Sequence, residues 1–106
     1  MLQRVWRCII SKNRSGEYEE FARQVSIAMF QNQKGYRGCI MARADQLCEV
    51  LTLWEDEHAI TALETSDSYK AAVAAIRAAG FVLKEVDIAI KPVHAIEMIA
   101  FSGVAA

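Results

Sequence analysis

The chain has 106 residues, 54% of them hydrophobic, and carries 12 basic and 13 acidic side chains for a net charge of -1. That composition supports one packed domain over residues 1–106, and the dispersed charge excludes the clustered Lys and Arg of a nucleic-acid footprint. Three cysteines with no CxxC and no zinc spacing read as reduced cytoplasmic thiols with no metal to hold, and no signal peptide or bilayer-length apolar run implies a membrane.

"VWRCIIS" (5–11) is a continuous apolar run with β-branched residues, as expected of a strand buried on both faces. "KNRSG" breaks it. Ser15 is then the expected N-cap of a helix of roughly four turns. Its apolar stripe is Tyr18, Phe21, Val25, Ala28 and Met29, and Gly35 is its expected C-terminal cap.

"YRGCIMARADQLCEVLTLW" is the clearest hairpin signal, two strand-like runs around a polar turn at Asp45 and Gln46. With those two residues as the loop, Ala44 pairs with Leu47. Arg43 then opposes Cys48, Met41 opposes Val50, Cys39 opposes Thr52, and Arg37 opposes Trp54. These eight side chains share one face, and the other carries Tyr36, Gly38, Ile40, Ala42, Leu47, Glu49, Leu51 and Leu53. Both faces are largely apolar, so each needs cover.

Asp56 is suited to cap a short helix with Ala59, Ile60 and Leu63 on one side. Ser66 or Asp67 starts another, with Tyr69, Ala72, Val73 and Ile76 as its stripe and Gly80 at its end. "EVDIAIKPVHAIEMIAF" reads as two strand pieces separated at Pro92, which has no N–H for a ladder. Residues 102–106 are expected to fray.

The order is therefore β-α-β-β-α-β with the second helix split in two, the ferredoxin-like α+β pattern with an antiparallel sheet. Helices in such a fold cover one sheet face. The other is apolar here, and the simplest cover is the same face of a second copy, a homodimer.

With its strand end "LTLW", its helix start "TSDSYKAAVAAI" and its helix-to-strand join "QKGYRGCIMARAD", the chain resembles the antibiotic biosynthesis monooxygenase family over roughly residues 3 to 101. That resemblance implies a dimeric α+β barrel with a cavity between helices and sheet in each subunit. It also implies a cofactor-independent monooxygenase that oxidises a small phenolic or quinol-type aromatic with dioxygen. The alternative is a non-catalytic dimeric module of the same fold that binds an apolar ligand or a partner. Quinone-forming members of the family that resemble this chain carry an Asn where this chain has Val50. The haem-degrading branch carries a Trp and a His where this chain has Leu63 and Val73, which speaks against haem chemistry.

Trp54 matches the family's strand-end Trp. It can stack a flat substrate or donate its indole N–H, or else plug the core. Arg43 and Arg37 share its expected face and can meet a phenolate, or else reach solvent or an acidic partner. His58, in the first turn of the short helix, can serve as a neutral base or sit solvated. His94, in the expected last strand, can accept a proton in the cavity or lie at the dimer seam. Trp54, His94, Arg43 and His58 are thus the candidate catalytic residues. The cysteines read as small buried hydrophobes with no catalytic part.

Overall fold

The computed structural model describes residues 1–100. The expected frayed tail at 102–106 lies outside them, as does Phe101 of the expected last strand. Four antiparallel strands form one sheet in the order β2-β3-β1-β4. They are β1 (Leu2–Ile10), β2 (Tyr36–Ala44), β3 (Leu47–Trp54) and β4 (Val82–Pro92). Three helices lie across one face: α1 (15–31), α2 (Glu57–Thr65) and α3 (Asp67–Ala79). This is the expected ferredoxin-like α+β architecture.

β1 begins three residues before the expected run, and its alternation decides what faces the helices. Leu2, Arg4, Trp6, Cys8 and Ile10 point one way. They pair in register with Trp54, Thr52, Val50 and Cys48 of β3 and with Pro92, Ile90, Ile88, Glu85 and Val82 of β4. Paired residues share a face, so this is the face that packs on the helices. Its core falls into two clusters. One gathers Met29, Phe30, Val50, Trp54, Ala59, Ile60, Leu63 and Ala72, and the other Cys8, Ile10, Tyr18, Cys48 and Phe81.

The β2–β3 hairpin pairs as expected from Ala44 and Leu47 out to Cys39 and Thr52. Asp45 takes the left-handed conformation (φ 54) that an Asp at a tight turn tolerates. The expected register holds through Gly38, which pairs with Leu53. Beyond it the register fails: Tyr36, not Arg37, pairs with Trp54. The bulge inserts one residue, and one extra residue reverses the faces. Tyr36 therefore joins the core side, while Arg37 turns to the surface and pairs with Glu55 at 3.3 Å.

A similar insertion corrects the reading of α1. Its middle, Ala22–Ser26, is a π-type turn between the α-helical segments Ser15–Phe21 and Ile27–Gln31. The wider turn advances the inward stripe by one residue. Tyr18, Ala22, Met29 and Phe30 are buried, and the expected Val25 and Ala28 are exposed. The start of α1 differs too. A single 3₁₀ turn, Lys12–Arg14, leads straight into it, so Ser15 lies inside the helix and caps nothing with its side chain. Gly35 lies beyond the helix end, in the turn before β2, with φ 87.

The other caps form as the residues dictate. Asp56 accepts a hydrogen bond from the Ala59 N–H at 2.9 Å, and the Ser66 hydroxyl accepts one from the Tyr69 N–H at 3.2 Å. Gly80 closes α3 with φ 81. The expected second strand piece after Pro92 does not form among the described residues. The Val93 N–H donates to the Met1 carbonyl at 3.0 Å, beyond which the chain leaves the sheet.

Gly35 is under a double constraint. Its backbone is left-handed, and a Cβ there would lie 2.5 Å from the Ala59 Cβ. Gly35→Ala is expected to destabilise the fold by about 1–3 kcal/mol, read as a lowered urea midpoint with an unchanged m-value.

Candidate active site

The helices do not fill the sheet face completely. α1 turns Ala22 and Ser26 toward the sheet and α3 turns Ala72 and Val73. Trp6 and Val50 face them from the sheet. What remains is a cavity of about 130 Å3, bounded also by Tyr18, Met29, Phe30, Tyr69, Ile76 and Ile88. Most of the wall is apolar, which suits a small organic ligand better than an ion.

The polar groups in the wall are few. Arg4 is the principal one, a guanidinium only 3% exposed in the middle of the sheet. Its Nε donates to Glu64 Oε2 at 3.1 Å, and Nη2 lies 3.1 Å from the same oxygen. Nη2 also donates to the Tyr69 hydroxyl at 2.9 Å. Burial of a charge is tolerable with such partners and costly without them. A second pair, Arg77 and Glu85, borders the cavity from α3 and β4 through two hydrogen bonds of 2.9 and 3.0 Å. Those bonds hold the Glu85 carboxyl below the usual carboxylate range, so Glu85 is a poor proton acceptor at neutral pH. Tyr18 is held protonated, its hydroxyl pushed well up by burial and then by Cys48 and Cys8.

Thiol chemistry is disfavoured throughout. Burial, then the neighbouring Cys48, pushes the Cys8 thiol up to about 12, and burial takes Cys39 to about 11. Cys48 is raised by the same cause. Thiolate is therefore scarce at neutral pH, and with it nucleophilic reactivity. Among the described residues no three His, Cys, Asp or Glu side chains gather as metal ligands would, and no helix is long and apolar enough to cross a membrane.

No family model matches the sequence, and no curated protein does. The fold does match solved structures. SnoaB from Streptomyces nogalater, a cofactor-independent oxygenase, superimposes with a TM-score of 0.74 over 90% of this chain and 94% of its own, at 16% identity. A Caulobacter crescentus CB15 protein, provisionally described as an antibiotic biosynthesis monooxygenase, gives 0.70 over 91% and 90% at 19% identity. NE2512 from Nitrosomonas europaea, of unknown function, gives 0.74 over 93% and 94% at 15% identity. The chain has the fold of the antibiotic biosynthesis monooxygenases. At these identities the backbone is shared and most side chains are not, so the residues must be placed one at a time.

Trp54 is fully buried at the end of β3, outside the cavity wall. Its indole N–H donates to Thr52 Oγ1 at 2.7 Å, and that hydroxyl donates on to the Arg4 carbonyl at 3.3 Å. Its ring packs edge-on against Tyr36 and Phe30, with centroids at 5.6 and 6.2 Å, and those two rings stack on each other. Phe30 is the member that reaches the cavity.

Arg43 sits beside the β2–β3 turn, where it donates to the Asp45 carbonyl at 2.8 Å and approaches Glu19 at 3.5 Å. His58 is exposed on the first turn of α2. His94 is exposed two residues past the end of β4, not inside a strand. Trp54, Arg43, His58 and His94 therefore do not converge, and none lines the cavity. Arg4 does, and it lies one residue before the strand start expected at Val5. Its sequence signal is the alternation Leu2, Arg4, Trp6, Cys8, Ile10, which puts one cation in an otherwise apolar row.

Trp54→Ala is expected to cost about 3–5 kcal/mol of stability, as large-to-small truncation in a close-packed core does. Urea unfolding followed by far-UV circular dichroism checks this. A cost under about 1 kcal/mol would mean the ring is not packed as described.

Proposed function

We propose that the chain is a cofactor-independent monooxygenase acting on a small phenolic or quinol-type aromatic in the cavity between helices and sheet. The observation that carries this reading is the cavity itself: an apolar, ring-sized hollow with a buried guanidinium in its wall, on a fold shared with a cofactor-independent oxygenase. A guanidinium in an apolar wall favours a deprotonated, electron-rich ring over its neutral form.

The balance needs no outside reductant. The substrate gains one oxygen atom at a ring carbon and gives up two hydrogens, which leave with the second oxygen atom as water. A phenol with an open para carbon becomes a quinone in this way. Trp54 acts at one remove, holding Phe30 and the end of the wall in place. Arg43, His58 and His94 have no part in the reaction on this reading.

A homodimer belongs to the same proposal. The face away from the helices exposes Ile40 and leaves Val5, Ile9, Leu47, Leu51 and Leu53 half-covered. That is more contiguous apolar surface than a monomer usually presents. A second copy laid on the same face would cover both at once.

One observation favours the second reading, a non-catalytic binder. Val50 lies in the cavity wall at the position where the resemblance puts an Asn, and it offers the ligand no hydrogen bond.

The two readings part in an oxygen electrode. Dihydroquinones and para-unsubstituted phenols are expected to draw oxygen above the buffer rate. One labelled atom from ¹⁸O₂ should enter the product, with no peroxide released. No uptake with any of them would leave only the binding reading. Ile40→Asp is expected to shift the sedimenting species from dimer toward monomer, and a wild-type monomer at micromolar concentration would remove the dimer.

A further inference from the structure

Arg4 has a donor to spare. Nε and Nη2 are taken by Glu64 and Tyr69, while Nη1 has no acceptor among the described residues. Among the same residues no fully enclosed side-chain nitrogen or oxygen lacks a partner. Nη1 of a residue 3% exposed therefore keeps some accessible surface, and Arg4 lines the cavity. Tyr69 is turned to the same use. Its hydroxyl oxygen accepts from Nη2 at 2.9 Å, which leaves its own hydrogen free to donate, and Tyr69 lines the same cavity. Two donors from different elements, one cationic and one polarised by it, thus lie side by side in the wall of an apolar hollow.

The other charged groups near the cavity do not compete. Glu64 is paired with Arg4, and Glu85 with Arg77. Tyr18 stays protonated. Each carboxylate already has a guanidinium partner.

Size limits the ligand as well. A dry cavity of about 150 Å3 holds one benzene ring, and this one is about 130 Å3. We propose that Arg4 and Tyr69 form an oxyanion anchor and that the cavity takes a phenolate of a single ring, its oxygen between Arg4 Nη1 and the Tyr69 hydroxyl. This rests on the cavity being the ligand site of the preceding reading, and it adds the substrate class and the residues that would hold it. The ring would lie against Phe30, Met29, Val50 and Ile88.

The probe is 4-nitrophenol, whose phenolate is yellow and whose acid is not. Wild-type protein is expected to bind it as the phenolate and to shift its titration to lower pH. Arg4→Met, close in length and uncharged, should weaken phenolate binding by about 10–100-fold, as loss of a hydrogen bond to a charged group does, and abolish the titration shift. Tyr69→Phe keeps the Arg4–Glu64 pair and so guards against a folding defect. It should weaken binding by a smaller factor and halve the shift or more. The two-ring 4-nitro-1-naphthol should bind at least about tenfold more weakly than 4-nitrophenol, although its larger apolar area would otherwise favour it.

Several outcomes overturn the proposal: 4-nitrophenol bound in its neutral form, no binding at all, a titration shift that survives in both variants, or equal affinity for one and two rings. The oxygen electrode separates this result from the reaction. Phenolate binding without oxygen uptake leaves the anchor standing and removes the oxygenase. Uptake that is unchanged in both Arg4→Met and Tyr69→Phe removes the anchor and leaves the oxygenase.

Discussion

Short side chains between helix and sheet are the constraint on which the rest of this molecule depends. Ala22, Ser26, Ala72 and Val73 line the hollow from α1 and α3, and Trp6 and Val50 line it from the sheet. Protein interiors are otherwise close-packed, so a hollow of this size must be held open by its surroundings. Two packed clusters border it: Trp54, Tyr36 and Phe30 belong to one, and Tyr18, Cys8, Cys48 and Phe81 to the other. Phe30 and Tyr18 are the members that line the hollow.

The π-type turn in α1 belongs to the same design. A regular helix would carry Val25 and Ala28 inward and leave Ser26 and Phe30 out of line with the sheet. The extra residue in the turn brings Phe30 onto Tyr36 and Trp54 and puts Ser26 on the cavity wall. The bulge at the start of β2 acts from the opposite side by delivering Tyr36 to the same cluster. Two one-residue irregularities, in different elements, therefore meet in a single aromatic contact. A pair of such rings adds about 0.5–1.5 kcal/mol beyond simple burial.

Arg4 shows how a charge survives at the centre of a sheet. Glu64, from the end of α2, supplies the countercharge, and Tyr69, from the first turn of α3, supplies a neutral acceptor. The backbone carbonyl of Arg4 is tied through Thr52 to the indole of Trp54. The polar chain from Trp54 to Tyr69 thus links the packed end of the core to the open one, and the guanidinium stays fixed at the cavity wall.

The residues themselves determined the order of elements, the hairpin from Ala44 and Leu47 to Cys39 and Thr52, the Asp56 and Ser66 caps and the left-handed Gly80. Each of these rests on neighbours a few positions apart, where hydrophobic period and cap chemistry act locally. Only the tertiary structure decided that Tyr36 displaces Arg37 beside Trp54, that Phe30 displaces Val25 and Ala28 in the stripe, and that the arginine facing the hollow is Arg4 and not Arg43. Periodicity carries no record of a one-residue insertion, yet such an insertion exchanges inside for outside. What selects it is contact between residues far apart in the chain, Phe30 with Tyr36 and Trp54, and Arg4 with Glu64 and Tyr69.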